Sequence, residues 1–231
     1  MIATDEIARR LGEVRERIAV AAARSRRPAD AVRLVLASKT QPPAAIAAAY
    51  EAGARDFGEN YVQEAVAKRA ELDELTGVRW HLIGNLQSNK VRAAVAAFDL
   101  IQTLDRAALA TALYHIRQAP LIPVLIQVKI GGEASKAGVA PEAVEALINQ
   151  VRDKVAVGGL MAVPPLSANA AIARRWFAEL RELRDQMARV TGLALDDLSM
   201  GMSDDYEAAI IEGATIVRIG QAVFGVRPSV V

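Results

Sequence analysis

Apolar positions repeat with two different periods along this 231-residue chain. From Thr4 onward, Ile7, Leu11, Val14, Ile18 and Ala21 share one face at helical spacing, and Thr4 is placed to cap the first turn. The pattern predicts a helix running to about Ser25, with Pro28 marking its end. From Val32 the pattern changes: short apolar runs at 33–38, 56–59, 79–84, 99–103, 122–128, 157–162, 196–200 and 215–219 read as strands. Longer amphipathic stretches lie between them, including 62–75, 89–98, 106–118, 141–154, 168–191 and 204–213. Strands alternating with helices, without a Pro/Gly/Ser-rich linker, predict one α/β domain with a parallel sheet across residues 1–231. Within it, 1–27 is an added N-terminal helix and 32–228 the repeating unit.

Such a count fits either a closed (β/α)8 barrel or an open doubly wound sheet. The barrel is favoured because polar residues recur at many strand ends: Lys39, Asn60, Asn85, Asp105, Lys129, Ser203 and Arg218. An open sheet gathers its site at one switch point, whereas a barrel gathers every strand end at one mouth.

Lys39 ends the run Val32-Arg33-Leu34-Val35-Leu36-Ala37-Ser38, on a strand-to-helix turn before Pro42 and Pro43. A solvated lysine closing a strand is one reading. In a barrel mouth a lysine also serves to form a Schiff base with an aldehyde or to neutralise a phosphate. Nucleophilic use requires the neutral amine, which partial desolvation favours. The segment Ile216-Val217-Arg218-Ile219-Gly220-Gln221 places an arginine inside an apolar strand and a glycine just beyond it. Gly220 lets backbone approach a ligand, and barrels commonly bind phosphate in the loops after their last two strands. The preceding strand ends Ser199-Met200-Gly201-Met202-Ser203, adding hydroxyl and amide donors.

Composition narrows the chemistry. Lys and Arg total 28 against 27 Asp and Glu, so a net charge of +1 gives no electrostatic case for nucleic acid or an anionic membrane. No cysteine is present, which removes disulfides and a thiolate nucleophile. Only His81 and His115 are available as imidazoles, too few for the usual zinc site, and no metal is expected. No apolar run approaches the roughly 20 residues that span a bilayer, and the first residues lack the pattern of a signal peptide. A cytoplasmic protein is expected. His81 lies within a strand and reads as a hydrogen-bonded core histidine; Trp80, Trp176 and Phe177 read as core, and Arg174, Arg175, Arg181 and Arg184 as a solvated helix face.

Several motifs carry a resemblance. They are Ala37-Ser38-Lys39-Thr40, Phe57-Gly58-Glu59-Asn60-Tyr61, Trp80-His81-Leu82-Ile83-Gly84-Asn85-Leu86-Gln87-Ser88-Asn89-Lys90, Gly159-Leu160-Met161, Leu198 to Asp205, and Val217-Arg218-Ile219-Gly220 with Phe224-Gly225. With these, the chain resembles the pyridoxal phosphate homeostasis proteins, pyridoxal 5'-phosphate (PLP)-binding proteins related to the alanine racemase barrel, from about residue 5 to 228. The resemblance implies a (β/α)8 TIM barrel carrying PLP as a covalent aldimine on Lys39. It implies that Arg218 faces the pyridine nitrogen and that Ser199, Ser203 and the backbone around Met200, Gly220 and Gln221 hold the phosphate. Asn60 and His81 match family positions near the cofactor, and Lys136 matches a lysine implicated in secondary PLP handling. Asn85 stands where the family usually has proline, and Val128-Lys129-Ile130 replaces its usual Ile-Asn motif.

An arginine opposite the ring nitrogen donates and cannot accept a proton, which weakens the electron sink. In alanine racemases a tyrosine from an appended C-terminal domain serves the second face. This chain stops six residues after Gly225 and is expected to lack that domain. The expected function is PLP storage and delivery with control of free PLP, by a protein that is not an enzyme, with PLP-dependent apo-enzymes as recipients and a monomer as the expected state. The alternative is a broad, slow amino-acid racemase.

Overall fold

Eight parallel strands close into a barrel in the computed structural model, which describes residues 4–131, 137–165 and 170–225. The strands are β1 (Arg33–Ala37), β2 (Asp56–Glu59), β3 (Arg79–Leu82), β4 (Leu100–Leu104), β5 (Pro123–Gln127), β6 (Ala156–Met161), β7 (Asp197–Ser199) and β8 (Ile216–Ile219). Strand β1 pairs with β2 on one side and with β8 on the other, so the sheet has no edge and the open alternative is eliminated. The fold is a (β/α)8 TIM barrel, as the strand and helix pattern predicts.

The helices are α1 (Thr4–Arg24), α2 (Pro43–Glu51), α3 (Val62–Glu71), α4 (Val91–Ala97), α5 (Ala107–Ile116), α6 (Val144–Val151), α7 (Ala170–Thr191), α8 (Tyr206–Ile211) and α9 (Gln221–Phe224). Helix α1 packs on α2, α8 and α9, outside the alternating repeat. Its buried residues Ile7, Leu11, Val14, Ile18 and Ala21 are the face expected from the spacing. Full burial of each larger aliphatic side chain contributes roughly 1.5–3 kcal/mol. Thr4, expected as the cap, lies within the helix. Arg15 on α1 donates to the carbonyls of Ala52 and Gly53 at 2.8 and 2.7 Å, satisfying backbone just past the end of α2.

Two apolar compartments follow from strand alternation. Between strands and helices lie Leu36, Phe57, Trp80, Ile101, Val217 and Phe177. A smaller cluster of Val35, Leu100, Leu125, Met161 and Ile216 fills part of the barrel interior. Trp176 packs partly buried against the outer core and His115 is exposed. Arg174 and Arg175 are exposed, as a solvated face would be, and Arg174 and Arg181 also converge on Glu212 with ion pairs of 2.6 Å each, tying α7 to the end of α8. No helix among the described residues is long and apolar enough to cross a membrane.

Candidate functional site

A cavity of about 400 Å³ opens at the carboxyl ends of the strands. Lys39, Asn60, Ser203, Arg218, Gly220 and Gln221, six of the residues singled out in the sequence, line it. Gln41, Ile83, Val163 and Met202 complete much of the wall.

Lys39 sits in a turn closed by a 2.9 Å hydrogen bond from the Gln41 N–H to the Ser38 carbonyl. The next residue, Thr40, has φ +64°, a left-handed conformation that a β-branched residue seldom adopts. Its surroundings hold it there. The Thr40 N–H donates to Glu64 Oε1 at 2.5 Å, and Lys68 Nζ donates to the Ser38 carbonyl at 2.7 Å. The same ammonium contacts Glu59 Oε1 and Glu64 Oε1, each at 2.7 Å. Ser38 Oγ also donates to Glu59 Oε1 at 2.7 Å. Burial raises the Glu59 pKa, against the Lys68 and Ser38 hydrogen bonds that lower it. The turn bearing Lys39 is therefore clamped from α3 and β2.

Lys68 and Glu59 carry no assigned role in the sequence reading, although a signal exists. Val62, Ala65 and Lys68 are the buried residues of α3 at spacing three, so a lysine occupies an apolar face.

The opposite wall is built by β7, β8 and the loops after them. Arg218 is 4% exposed, and its Nη1 donates to Ser199 Oγ at 2.6 Å while Nη2 donates to the Ala162 carbonyl at 2.9 Å. Complete burial lowers its pKa to about 10, partly opposed by Asp205, so the guanidinium stays charged at neutral pH. Gly201 has φ +91°, and a Cβ there would stand 2.6 Å from Ala209 Cβ, so the tight turn into α8 requires glycine. Gly220 is close-packed for a different reason: its φ is −119°, and a Cβ would stand 3.0 Å from the Ala37 carbonyl oxygen, a contact tighter than most side chains make. Ser203 Oγ accepts from the Ala222 N–H at 3.3 Å, joining the two loops of the cup.

The side chains of three expected site residues lie outside the cavity wall. Ser199 is fully buried, and its hydroxyl contacts Gln102 and Arg218 below the cavity rather than lining a phosphate cup. Met200 is also fully buried among apolar side chains, while Met202 lines the cavity. His81 is 1% exposed inside the barrel, bonded to Asp56 and Gln102, as a core histidine would be. Ser199 and His81 face the barrel interior a layer below the mouth, whereas Met200, one residue on from Ser199, faces the outer core. Lys136 lies outside the described residues. Lys129 follows β5, its N–H donating to the Val139 carbonyl, and is not part of the cavity wall. Asn85 lines an adjoining hollow of about 360 Å³ with Asn60, Tyr61 and Lys90.

Asp56 begins β2 at the far end of the barrel. Burial raises its pKa, but hydrogen bonds from His81 and Arg79 outweigh burial and leave it below the ordinary value. A lowered carboxylate stabilises the fold above the ordinary aspartate range, and that contribution is lost as pH falls through the lowered value. Asp56→Asn is therefore expected to flatten the acid limb of the stability curve, read as urea midpoints from neutral pH down into the carboxylate range. An acid limb identical to the parent's would contradict this.

Comparison with known proteins agrees with the geometry. The family described as alanine racemase, N-terminal domain, matches residues 10–228. A pyridoxal phosphate homeostasis protein of Pseudomonas aeruginosa is 48% identical over 225 residues, covering 96% of each chain. The solved structure of PipY from Synechococcus elongatus without PLP has 41% identity and a TM-score of 0.85, covering 95% of this chain and 100% of that one. Its form with PLP bound has 42% identity and a TM-score of 0.83, with the same coverage. A (β/α)8 barrel with this mouth, matched along nearly its whole length by such relatives, belongs to the pyridoxal phosphate homeostasis protein family, within the alanine racemase N-terminal domain group.

Proposed function

We propose that this protein binds PLP in the mouth cavity, covalently through Lys39, and holds it for release to PLP-dependent apo-enzymes rather than turning over a substrate. The observation that carries the reading is the convergence of Lys39 and the buried Arg218 guanidinium on one cavity with Ser203, Gly220 and Gln221. The donor set fits a phosphorylated aromatic aldehyde. A primary amine, a guanidinium and a hydroxyl face one space, and Asn60 Oδ1 is buried without a partner among the described hydrogen bonds. When bound, PLP supplies an aldehyde that an amine captures reversibly and a ring that withdraws electrons.

Lys39 Nζ is the capturing amine, positioned by the clamped turn. Ser203 and the chain around Gly220 and Gln221 would hold the phosphate, and Arg218 would face the ring nitrogen. Arg218 donates hydrogen bonds and cannot return a proton, so it does not maintain a protonated ring nitrogen as a carboxylate would. That favours holding over turnover. The relatives' designation as homeostasis proteins supports the same role.

The purified protein is expected to take up PLP with a visible absorption band and a borohydride-reducible adduct, both lost in Lys39→Ala. A colourless protein that ignores added PLP refutes the binding role. Loaded protein should pass PLP to an apo-enzyme faster than PLP escapes spontaneously. Enzyme-like exchange of Cα deuterium on single enantiomers of alanine or serine would instead establish the racemase alternative.

A further inference from the structure

Below the cavity, a run of polar side chains crosses the barrel interior beside the apolar cluster of Val35, Leu100, Leu125, Met161 and Ile216. Arg218 Nη1 donates to Ser199 Oγ at 2.6 Å, and Ser199 Oγ donates to Gln102 Oε1 at 2.6 Å. Gln102 Nε2 lies 3.0 Å from His81 Nδ1, and His81 Nε2 lies 2.9 Å from Asp56 Oδ1. Asp56 Oδ2 accepts from Arg79 at 2.8 Å. Ser199 and Gln102 are fully buried and His81 nearly so, leaving little access for water to replace a missing link. Arg218 lines the mouth cavity, whereas Asp56 lines a hollow of about 560 Å³ at the opposite end.

The ends of this chain fix its sense. A guanidinium only donates and a carboxylate only accepts. One proton per link is then satisfied in a single direction, from Arg218 through Ser199, Gln102 and His81 to Asp56. A flipped Gln102 amide would direct two donors at Ser199 Oγ and require protons on both His81 nitrogens. It would also leave the buried serine hydroxyl without this acceptor. The satisfied arrangement places the imidazole proton on Nε2.

We propose that Ser199, Gln102 and His81 are positioning residues, a one-directional hydrogen-bond relay that fixes the Arg218 guanidinium at the cavity and ties it to Asp56 at the far end of the barrel. Ser199 and the Ala162 carbonyl hold separate guanidinium nitrogens, so rotation of Arg218 out of its plane breaks the relay. The consequence for PLP rests on the binding reading above; the relay itself does not.

The first test needs no PLP. With only two histidines in the chain, nitrogen-15 spectra of the imidazoles are assignable using His115→Gln. His81 is expected to carry its proton on Nε2 and an unprotonated Nδ1. Gln102→Glu, similar in shape but unable to donate while ionised, is expected to place a proton on Nδ1 as well. A wild-type Nδ1–H, or an unchanged imidazole in Gln102→Glu, overturns the relay.

The second test uses Ser199→Ala loaded with PLP. It is expected to weaken PLP binding about tenfold, by analogy with the lower end of the loss when a partner that orients a metal ligand is removed. The bound chromophore should shift while the His81 tautomer is retained. Wild-type affinity and spectrum in a folded Ser199→Ala would overturn the positioning role. If that variant does not fold, the wild-type and Gln102→Glu spectra decide the relay. If the parent takes up no PLP, the binding role fails and the nitrogen-15 result still decides the relay.

Discussion

Lys68→Met is expected to lose about 3–5 kcal/mol of folding stability, the usual cost of removing one partner of a buried ion pair. Lys68 is 5% exposed and Glu59 fully buried, so solvent cannot compensate for the missing ammonium. The variant leaves Glu59 Oε1 with the Ser38 hydroxyl, while Glu59 Oε2 already lacks a partner among the described hydrogen bonds. It also removes the donor to the Ser38 carbonyl, one of the contacts that hold the Lys39 turn.

The pH dependence has a definite sign. Burial already raises the Glu59 pKa, and losing Lys68 removes a group that lowers it, so the variant's carboxyl should rise further. A raised carboxyl takes up its proton more readily in the folded state. The penalty is therefore greatest above the folded pKa and shrinks as pH falls through it towards the unfolded value. Urea unfolding at neutral and mildly acidic pH measures both effects. Adding Glu59→Leu to Lys68→Met should recover much of the loss. A deficit below about 1 kcal/mol at neutral pH, typical of an exposed pair, would refute the clamp.

Gly159→Ala is expected to lose more than about 3 kcal/mol, at or beyond the usual cost of overpacking, or to prevent folding. A Cβ at Gly159 would stand 1.8 Å from the Asp197 carbonyl oxygen and 2.9 Å from its Cα. Those atoms are backbone of β7, paired in register with Gly159, so no side-chain rotation gives relief. A closed barrel has no free edge at which β6 and β7 could part without straining other pairings. Gly158→Ala is the internal control. Its Cβ would find nothing nearer than 3.8 Å, and alanine there is expected to be neutral or slightly stabilising. Thermal unfolding of the two variants side by side checks the contrast; equal losses would show that β6 and β7 can separate.

Those adjacent glycines mark a boundary in what the chain reveals. In the sequence both are small residues in one strand, whereas contact with Asp197 distinguishes them. Ser199 and Ser203 differ similarly: both read as hydroxyl donors near a strand end, but Ser199 closes β7 inside the barrel, whereas Ser203 lies in the turn beyond it and reaches the mouth. Gln102 and Asp56 are polar residues within short strands, and Ser199 and Gln102 meet across 97 sequence positions. Nothing local announces such a meeting. Lys68 was more legible, because a lysine on the apolar face of α3 conflicts with the helix pattern.

The sequence by itself determined the alternation of strands and helices, the apolar face of α1, and the positions of Lys39 and Arg218 relative to their strands. These follow from side-chain periodicity and local turn chemistry, which act over a few residues. Only the tertiary structure decided that the sheet closes, that Lys68 clamps the Lys39 turn, and that Ser199 belongs to a buried chain ending at Asp56. Closure brings alternate residues of distant strands into one interior, where every buried donor and acceptor must find its partner across the barrel.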